Sequence, residues 1–146
     1  ERLCDGAFGN RISAVGEKTW RKSQLVLKAN MENKKITGEN FFKNDNTPWE
    51  EAGDGITRQF VGFNTQLMMV KVKFEKGAIG YVHDHFHSQV TYIASGEFEI
   101  TIDGQPEVLK TGDGFFVQPN QKHGANCLEA GILIDVFSPV REDFLK

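Results

Sequence analysis

The sequence predicts an all-β fold, an antiparallel sandwich or barrel of short strands. Apolar and polar residues alternate along several segments of the second half of the chain, which is the pattern of half-buried strands. Turn-forming residues separate these segments at close spacing, as strands joined by tight turns require. No amphipathic segment of about ten residues stands out between them. Together these observations favour an all-β architecture over a helical one.

The predicted strands follow one another from Gln66 onward. The first places four apolar side chains on one face: Met68, Val70, Val72 and Phe74. A second strand spans residues 91–94, the Ser95-Gly96 pair is predicted to turn the chain, and a third strand spans residues 97–102. Asp103-Gly104 then closes a predicted hairpin, because both positions of a type I′ turn need residues that tolerate positive φ. The remaining predicted strands span residues 107–110, 115–117 and 132–137.

Length and composition describe one globular domain with a tail. The 146 residues suffice for one hydrophobic core and are too few for two ordinary domains. Residues 1–30 show neither period clearly, and we interpret them as an N-terminal extension or arm that precedes a domain at residues 31–146. The alternatives are an extra strand or an arm on a partner subunit, and Met31 is a candidate natural start of the domain.

Charge and cysteine content exclude several classes of function. Seventeen Lys and Arg against 20 Asp and Glu leave a net charge of -3, without the positive excess that binds a phosphate backbone. No stretch approaches about 18 consecutive apolar residues, so no membrane span is expected. Cys4 and Cys127 have the spacing of neither a redox pair nor a zinc site. We expect a reduced, cytoplasmic protein without nucleic-acid or membrane partners, although a secreted protein whose signal is cleaved has the same appearance.

All four histidines of the chain lie between positions 83 and 123. In a strand, His83 and His85 project from the same face, and the turn around Pro119 can return His123 over this pair. Imidazole nitrogens at about 2.0–2.2 Å are ligands of divalent transition ions. The alternative is that the histidines form the solvated face of a strand. The glycines around them favour a metal site.

These glycines and histidines resemble the two sequence motifs of the cupin superfamily. The first motif is complete in register, with glutamine where the family usually has glutamate; its positions are Gly77, His83, His85, Gln89 and Gly96. The second begins at Gly112-Asp113 and reaches its histidine at His123. Gln118 and Asn120 replace the usual proline and glycine of this motif. The resemblance implies a single-domain cupin, an antiparallel double-sheet jelly-roll barrel.

Gln89 and His87 are the positions of this segment whose roles stay open. As a ligand, the Gln89 carboxamide brings no negative charge, which leaves the ion a stronger Lewis acid and less suited to a higher oxidation state. The alternative is that Gln89 is no ligand and that water completes a site of three histidines. We expect His87 to support the metal site or line the pocket, with surface exposure as the alternative.

The last predicted strand places a carboxylate and an aromatic ring on one face, together with Leu133. If this face looks into the barrel, Asp135 and Phe137 enter the pocket. Arg141 follows just past Pro139, where it can reach the rim. A buried acidic residue needs a partner or a chemical role. Three roles are open for Asp135: it could form an ion pair with Arg141, cap the turn after Phe137, or take part in catalysis.

More narrowly, the chain is similar to the KdgF-type cupins of pectin and alginate catabolism. The similarity runs from about Phe60 to Leu145 and is carried by the segments His83–Gln89, Tyr92–Glu97 and Asp135–Asp143. It implies a set of divalent-metal ligands, which are His83, His85, Gln89 and His123. It also implies three further active-site residues, which are Asp135, Phe137 and Arg141. The identity of the ion stays open among Ni, Zn, Mn and Fe.

The resemblance implies an enzyme of the unsaturated pyranuronate lyase or isomerase type that acts as a homodimer. Such enzymes convert 4,5-unsaturated monouronates, released by pectin or alginate lyases, to linear keto uronates. In this chemistry we expect the metal to polarise carboxylate or ring oxygens, Arg141 to bind the carboxylate and Asp135 to transfer protons. Phe137 shapes the pocket against the sugar ring. Two other functions stay open: a non-catalytic cupin that binds a sugar acid, and a metal-dependent dioxygenase.

Overall fold

A computed structural model describes residues 36–146 of the chain, so the extension expected at residues 1–30 lies outside the described residues. The described part confirms the all-β prediction. Among these residues, no helix has the length and hydropathy that a membrane crossing needs. Short 3₁₀ helices span Asn44–Asn46 and Glu142–Leu145. The strands are β1 Glu50–Gly53, β2 Ile56–Phe63, β3 Met68–Phe74, β4 Ile79–His83, β5 Ser88–Ile102, β6 Gln105–Lys110, β7 Gly114–Val117 and β8 His123–Ser138.

Two long strands, β5 and β8, pair with each other along most of their length and organise the fold. The first half of β5 also pairs with β7, and the second half of β8 pairs with β3, which is followed in the sheet by β2 and β1. The opposite halves of the same two strands carry β6 and β4. All of these pairings are antiparallel, and the branching divides the strands into the two sheets of a jelly roll.

The prediction that Ser95-Gly96 turns the chain is wrong. The two segments predicted on either side of it are one strand, β5, and the β5–β8 register shifts at Ser95 as a bulge. Gly96 has a φ of 89°, and a Cβ there would lie 2.6 Å from the carbonyl oxygen of Glu129. Only glycine combines this φ with this close approach. The pair therefore bends a continuous strand from one sheet into the other.

The Asp103-Gly104 hairpin is confirmed. Ile102 pairs with Gln105 across it, and Asp103 and Gly104 have φ values of 48° and 79°. Positive φ at both central residues is typical of a type I′ turn. The sequence pattern did not identify β1, β2 or β4, and it recognised only the second half of β8.

The second half of β8 alternates between the interior and the outer surface as its sequence pattern predicts. Leu133, Asp135 and Phe137 are buried, whereas Ile132, Ile134 and Val136 are half-buried. One core cluster lies toward the first half of β8 and consists of Ile56, Phe74, Ile93, Phe98, Ile100, Cys127 and Leu133. A second cluster lies toward the C-terminal end of β8 and consists of Met68, Val70, Phe137 and Val140.

Candidate metal centre and its cavity

Three histidines from three places in the chain converge on one point. His83 ends β4, His123 begins β8 and pairs with it, and His85 lies in the connection between β4 and β5. One ligand atom from each ring lies within 4.8 Å of the others, close enough to hold one ion. His83 and His85 therefore meet, although the strand expected to carry both ends at His83. His123 belongs to a strand instead of the turn predicted around it.

Main-chain carbonyl oxygens orient all three rings through Nδ1. A proton on Nδ1 donates to such an oxygen and leaves the lone pair of Nε2 for a metal ion. The contacts are 2.9 Å from His83 Nδ1 to Tyr81 O, 3.2 Å from His85 Nδ1 to His87 O and 2.9 Å from His123 Nδ1 to Gln121 O. The backbone thus selects the same tautomer for each histidine.

Nε2 of His123 is buried and has no hydrogen-bond partner among the described residues. A buried imidazole nitrogen without a partner costs free energy, and a bound cation removes that cost. Burial also lowers the pKa of His123, which keeps the ring neutral and able to coordinate. This orphaned nitrogen fits a metal ion at the centre of the cluster.

His85 fits a metal ion for a different reason. Its Nδ1 faces the carbonyl oxygen of His87, and its Nε2 lies 3.0 Å from Oε1 of Gln89. A neutral imidazole has one N–H and cannot donate to both oxygens. Burial, followed by the positive charge of Arg141, lowers the pKa of His85 to about 4, which disfavours the doubly protonated ring. A cation between His85 Nε2 and Gln89 Oε1 satisfies both atoms.

The amide of Gln89 has a defined orientation. Its oxygen faces His85, and its nitrogen donates to Thr91 Oγ1 at 3.0 Å and to Asp135 Oδ1 at 3.4 Å. Gln89 is buried at the start of β5, next to the histidine cluster. Its carbonyl oxygen therefore lies beside Nε2 of one member of the histidine cluster, His85.

Asp135 is buried beside Gln89. Its Oδ1 accepts a 2.6 Å hydrogen bond from the Thr91 hydroxyl. Burial raises the pKa of Asp135 to about 6, against the hydrogen bonds from Thr91 and Gln89 that lower it. Within residues 36–146 it has no ion-pair partner, because Arg141 pairs with Asp143. The carboxyl group can therefore exchange a proton near neutral pH.

Arg141 is a buried cation fixed by a neighbour from the same turn. Its Nε and Nη2 donate to the two carboxylate oxygens of Asp143 at 3.0 and 2.7 Å. The guanidinium carbon lies 5.3 Å from the ring centre of Phe137 and 4.2 Å from that of Phe144. The Phe137 ring in turn lies 5.7 Å from the ring of His85. Arg141 is thus held in one orientation against an aromatic wall that leads to the histidines.

His87 lies outside the histidine cluster. It is buried, so the alternative of surface exposure is wrong, and its Nε2 contacts the carbonyl oxygen of Val140 at 3.2 Å. Its own carbonyl oxygen faces Nδ1 of His85. His87 therefore supports the centre through its backbone.

A cavity of about 200 Å³ joins these groups. Six of the seven residues expected at the site line it, namely His83, Gln89, His123, Asp135, Phe137 and Arg141. Sequence reasoning missed one further charged lining residue, Arg58 of β2. The signal that points to it is the alternation of Ile56, Arg58 and Phe60, in which a cation occupies an inward position.

The sequence of the chain matches one protein family and one curated relative. The cupin domain family matches residues 70–137. The pectin degradation protein KdgF of Dickeya dadantii (strain 3937) is 51% identical over 107 residues, which are 72% of this chain and 97% of that protein. The family match includes the part of the chain that carries the histidine cluster.

Two solved structures are also similar. An RmlC-like cupin from Shewanella frigidimarina NCIMB 400 is 54% identical, covers 74% of this chain and 97% of its own, and superposes with a TM-score of 0.73. KdgF from Halomonas sp. is 38% identical, covers 73% of this chain and 99% of its own, and has a TM-score of 0.70. Sequence and structure therefore point to one group of proteins.

Proposed function

Since the chain belongs to the cupin family and is KdgF-like, we propose that it acts in pectin degradation and converts 4,5-unsaturated monouronates to linear keto uronates. Products of pectin or alginate lyases are the source of such substrates. The observation that carries the proposal is one cavity that joins a histidine cluster, a buried carboxyl group and a fixed guanidinium. Its volume of about 200 Å³ suits a single sugar.

The residues that would hold the metal are His83, His85, Gln89 and His123. The support for this set is the orphaned Nε2 of His123 and the facing acceptors at His85 and Gln89. When bound, a divalent ion supplies Lewis acidity toward carboxylate or ring oxygens of the substrate. Ni, Zn, Mn and Fe all accept such a donor set.

Arg141 would bind the substrate carboxylate. Asp143 occupies its Nε and one N–H of Nη2, which leaves Nη1 free to donate. A guanidinium that is already oriented loses little rotamer freedom when it binds an anion. Phe137 lies between this group and His85, where its ring packs against a sugar ring in the cavity.

Asp135 would move the proton that completes the reaction. The substrate is a cyclic enol ether, and ring opening breaks the bond between C1 and the ring oxygen. The C1 hydroxyl loses a proton as C1 becomes a carbonyl, and C4 gains a proton as C5 becomes a ketone, so the product is an isomer. A carboxyl group with a pKa of about 6 holds its proton more readily than an ordinary aspartate and can deliver it to C4.

The test is to incubate the metal-loaded protein with unsaturated galacturonate and to follow the absorbance of the conjugated double bond. We expect the absorbance to decrease with time, and we expect this decrease to stop when a chelator removes the metal. A protein that binds the uronate without loss of absorbance is a sugar-acid-binding cupin, which overturns the proposed reaction. Consumption of oxygen in an electrode would identify a dioxygenase.

We also propose that the protein is a homodimer that pairs through the outer face of one sheet. The support is a row of apolar residues on four neighbouring strands: Phe116, Val90, Val136 and Met69, which are register partners from β7 to β3. Val90 is 52% exposed and Phe116 is 48% exposed. Contiguous exposed apolar surface of this kind is typical of protein interfaces.

A further inference from the structure

Arg58 is a second guanidinium in the cavity, and none of the sequence motifs includes it. It lies on β2, on the same inward face as Ile56. Its side chain is 20% exposed, so the cation stands where the cavity meets solvent. A charged side chain on the inward face of a strand needs a partner or a ligand.

The donors of Arg58 are poorly satisfied. Nε is buried and has no hydrogen-bond partner among the described residues. The nearby carboxylate is Glu50 on β1, whose Oε2 lies 3.7 Å away, beyond hydrogen-bond distance. Nη2 reaches the carbonyl oxygen of Phe144 only at 3.4 Å. Arg141 makes two short bonds to Asp143 instead. Arg58 is therefore the guanidinium of the cavity with the most unused donor capacity.

Aromatic rings connect Arg58 to the histidine cluster. The rings of His85 and Phe137 lie 5.7 Å apart, and Phe137 and Phe144 are also 5.7 Å apart. The guanidinium carbon of Arg58 lies 4.4 Å from the centre of the Phe144 ring, which Arg141 also approaches. The rings of Phe137 and Phe144 thus form a row, with His85 at one end and Arg58 at the other. A second stacking contact with Phe60 at 5.4 Å holds the side chain there.

We propose that Arg58 is a substrate-binding residue that recognises the negative charge of a sugar acid as it enters the cavity. This rests on the proposed function, because it takes the ligand to be a uronate. The anion replaces Glu50 as the partner of Arg58 and accepts charge-assisted hydrogen bonds from the outer nitrogens of the guanidinium, Nη1 and Nη2. Arg58 then adds a second cation to Arg141, and together they favour an acidic sugar over a neutral one.

Calorimetric titration of the zinc-loaded protein with galacturonate, which has no double bond to convert, separates binding from turnover. Galactose is the neutral control ligand. We expect Arg58→Gln to weaken galacturonate binding at least tenfold, and Arg58→Lys to lie between this variant and the wild type. Glu50→Gln should tighten binding about two- to threefold because it removes the competing carboxylate. Lys73→Gln, which removes an exposed cation from the outer face of β3, should change nothing.

Three results would overturn the proposal. The first is an Arg58→Gln protein that binds galacturonate within twofold of the wild type. The second is a wild-type protein that binds galactose as well as galacturonate, or binds no galacturonate at all. The third is an unchanged affinity in Glu50→Gln together with loss of binding in Arg58→Lys, which would identify Arg58 as a purely structural residue. A protein that binds galacturonate through Arg58 but leaves unsaturated galacturonate unchanged disproves the proposed reaction alone.

Discussion

The amide oxygen of Gln89 lies 3.0 Å from Nε2 of His85, and the amide nitrogen of the same side chain faces Asp135. One side chain therefore connects the candidate metal ligands to the candidate proton donor. A change at Gln89 alters the charge beside the metal and the hydrogen bonding of the carboxyl group together. The first prediction separates these two effects.

Replacement of Gln89 by Glu should strengthen metal binding about tenfold and move the pH profile of turnover to higher pH. A carboxylate adds negative charge to the ligand set, but it cannot donate to Asp135, and like charges raise the pKa of Asp135. Metal affinity is measured by competition with a chelator, and the pKa effect by the pH dependence of the rate.

Thr91→Val is the matched control for this substitution. It removes the 2.6 Å hydrogen bond to Asp135 and the hydroxyl that accepts from the Gln89 amide, but it adds no charge beside the metal ligands. We expect its pH profile to move in the same direction as that of Gln89→Glu, without the gain in metal affinity. A Gln89→Glu protein that holds metal no more tightly than the wild type would show that residue 89 is not a ligand.

Asp135→Asn should reduce turnover at least a hundredfold without loss of metal, because an amide cannot serve as the proton donor. In the metal-free protein the same substitution should raise the free energy of unfolding at pH 7 to 8, by about 1–3 kcal/mol. The folded pKa of about 6 exceeds the ordinary 3.8, so the folded state binds more protons than the unfolded state between these values. The protonated carboxyl group stabilises the folded state to its full extent below pH 3.8, and this stabilisation is lost as the pH rises through about 6.

Thermal melting across pH 4 to 8 with chelator present checks this second part. The difference in melting temperature between Asp135→Asn and the wild type should shrink toward zero as the pH falls to 4. A difference that is constant over this range would show that the carboxyl group does not titrate with a raised pKa. Wild-type rates in the variant would remove Asp135 from the mechanism.

Gly131→Ala should destabilise the fold by about 2 kcal/mol or more. A Cβ at Gly131 would overlap the carbonyl oxygen of Ser95, where β8 crosses the bulge of β5. Gly62→Ala is the control, because a Cβ at Gly62 meets no atom within 4 Å. Urea unfolding of both variants measures the difference. Equal free energies of unfolding for the two variants would mean that β8 and β5 can separate at Gly131 and Ser95 without loss of stability.

Val90→Lys should convert the proposed dimer to a monomer, since a charge at the centre of an apolar interface is strongly unfavourable. Light scattering coupled to size-exclusion chromatography reports the mass. Val108→Lys is the matched control: Val108 is equally exposed at 52%, but it lies on β6, which pairs with the other half of β5. A wild-type protein that elutes as a monomer at all concentrations would contradict the proposed interface.

Local patterns were sufficient to predict the parts of the site that depend on short-range spacing. Alternation in the last strand placed Asp135 and Phe137 on one face, and in the structure this face is buried. The spacing of the histidines anticipated that His83, His85 and His123 meet, although His85 lies beyond the strand. Asp135 and Phe137, like His83 and His85, are near neighbours along the chain, whereas His123 reaches the other histidines through the pairing of β8 with β4.

Features that depend on partner strands were not predictable in the same way. Arg58 was missed because a cation on the inward face of β2 breaks the apolar periodicity by which strands are recognised. Ser95-Gly96 is compatible with a turn or a bulge, and only its pairing with β8 determines which one forms. The partner of Arg141 depends on the 3₁₀ helix that follows it, which presents Asp143 in place of the more distant Asp135.

The carbonyl oxygens of Tyr81, His87 and Gln121 contact Nδ1 of the three imidazoles and leave each Nε2 as the candidate ligand atom. Three imidazoles and one carboxamide form a neutral donor set that Ni, Zn, Mn and Fe all accept, so ligand type alone does not select among these ions. Which metal the protein carries in the cell is then a matter of supply. Preparations from media rich in nickel, zinc or manganese should differ in metal content while their structures stay the same.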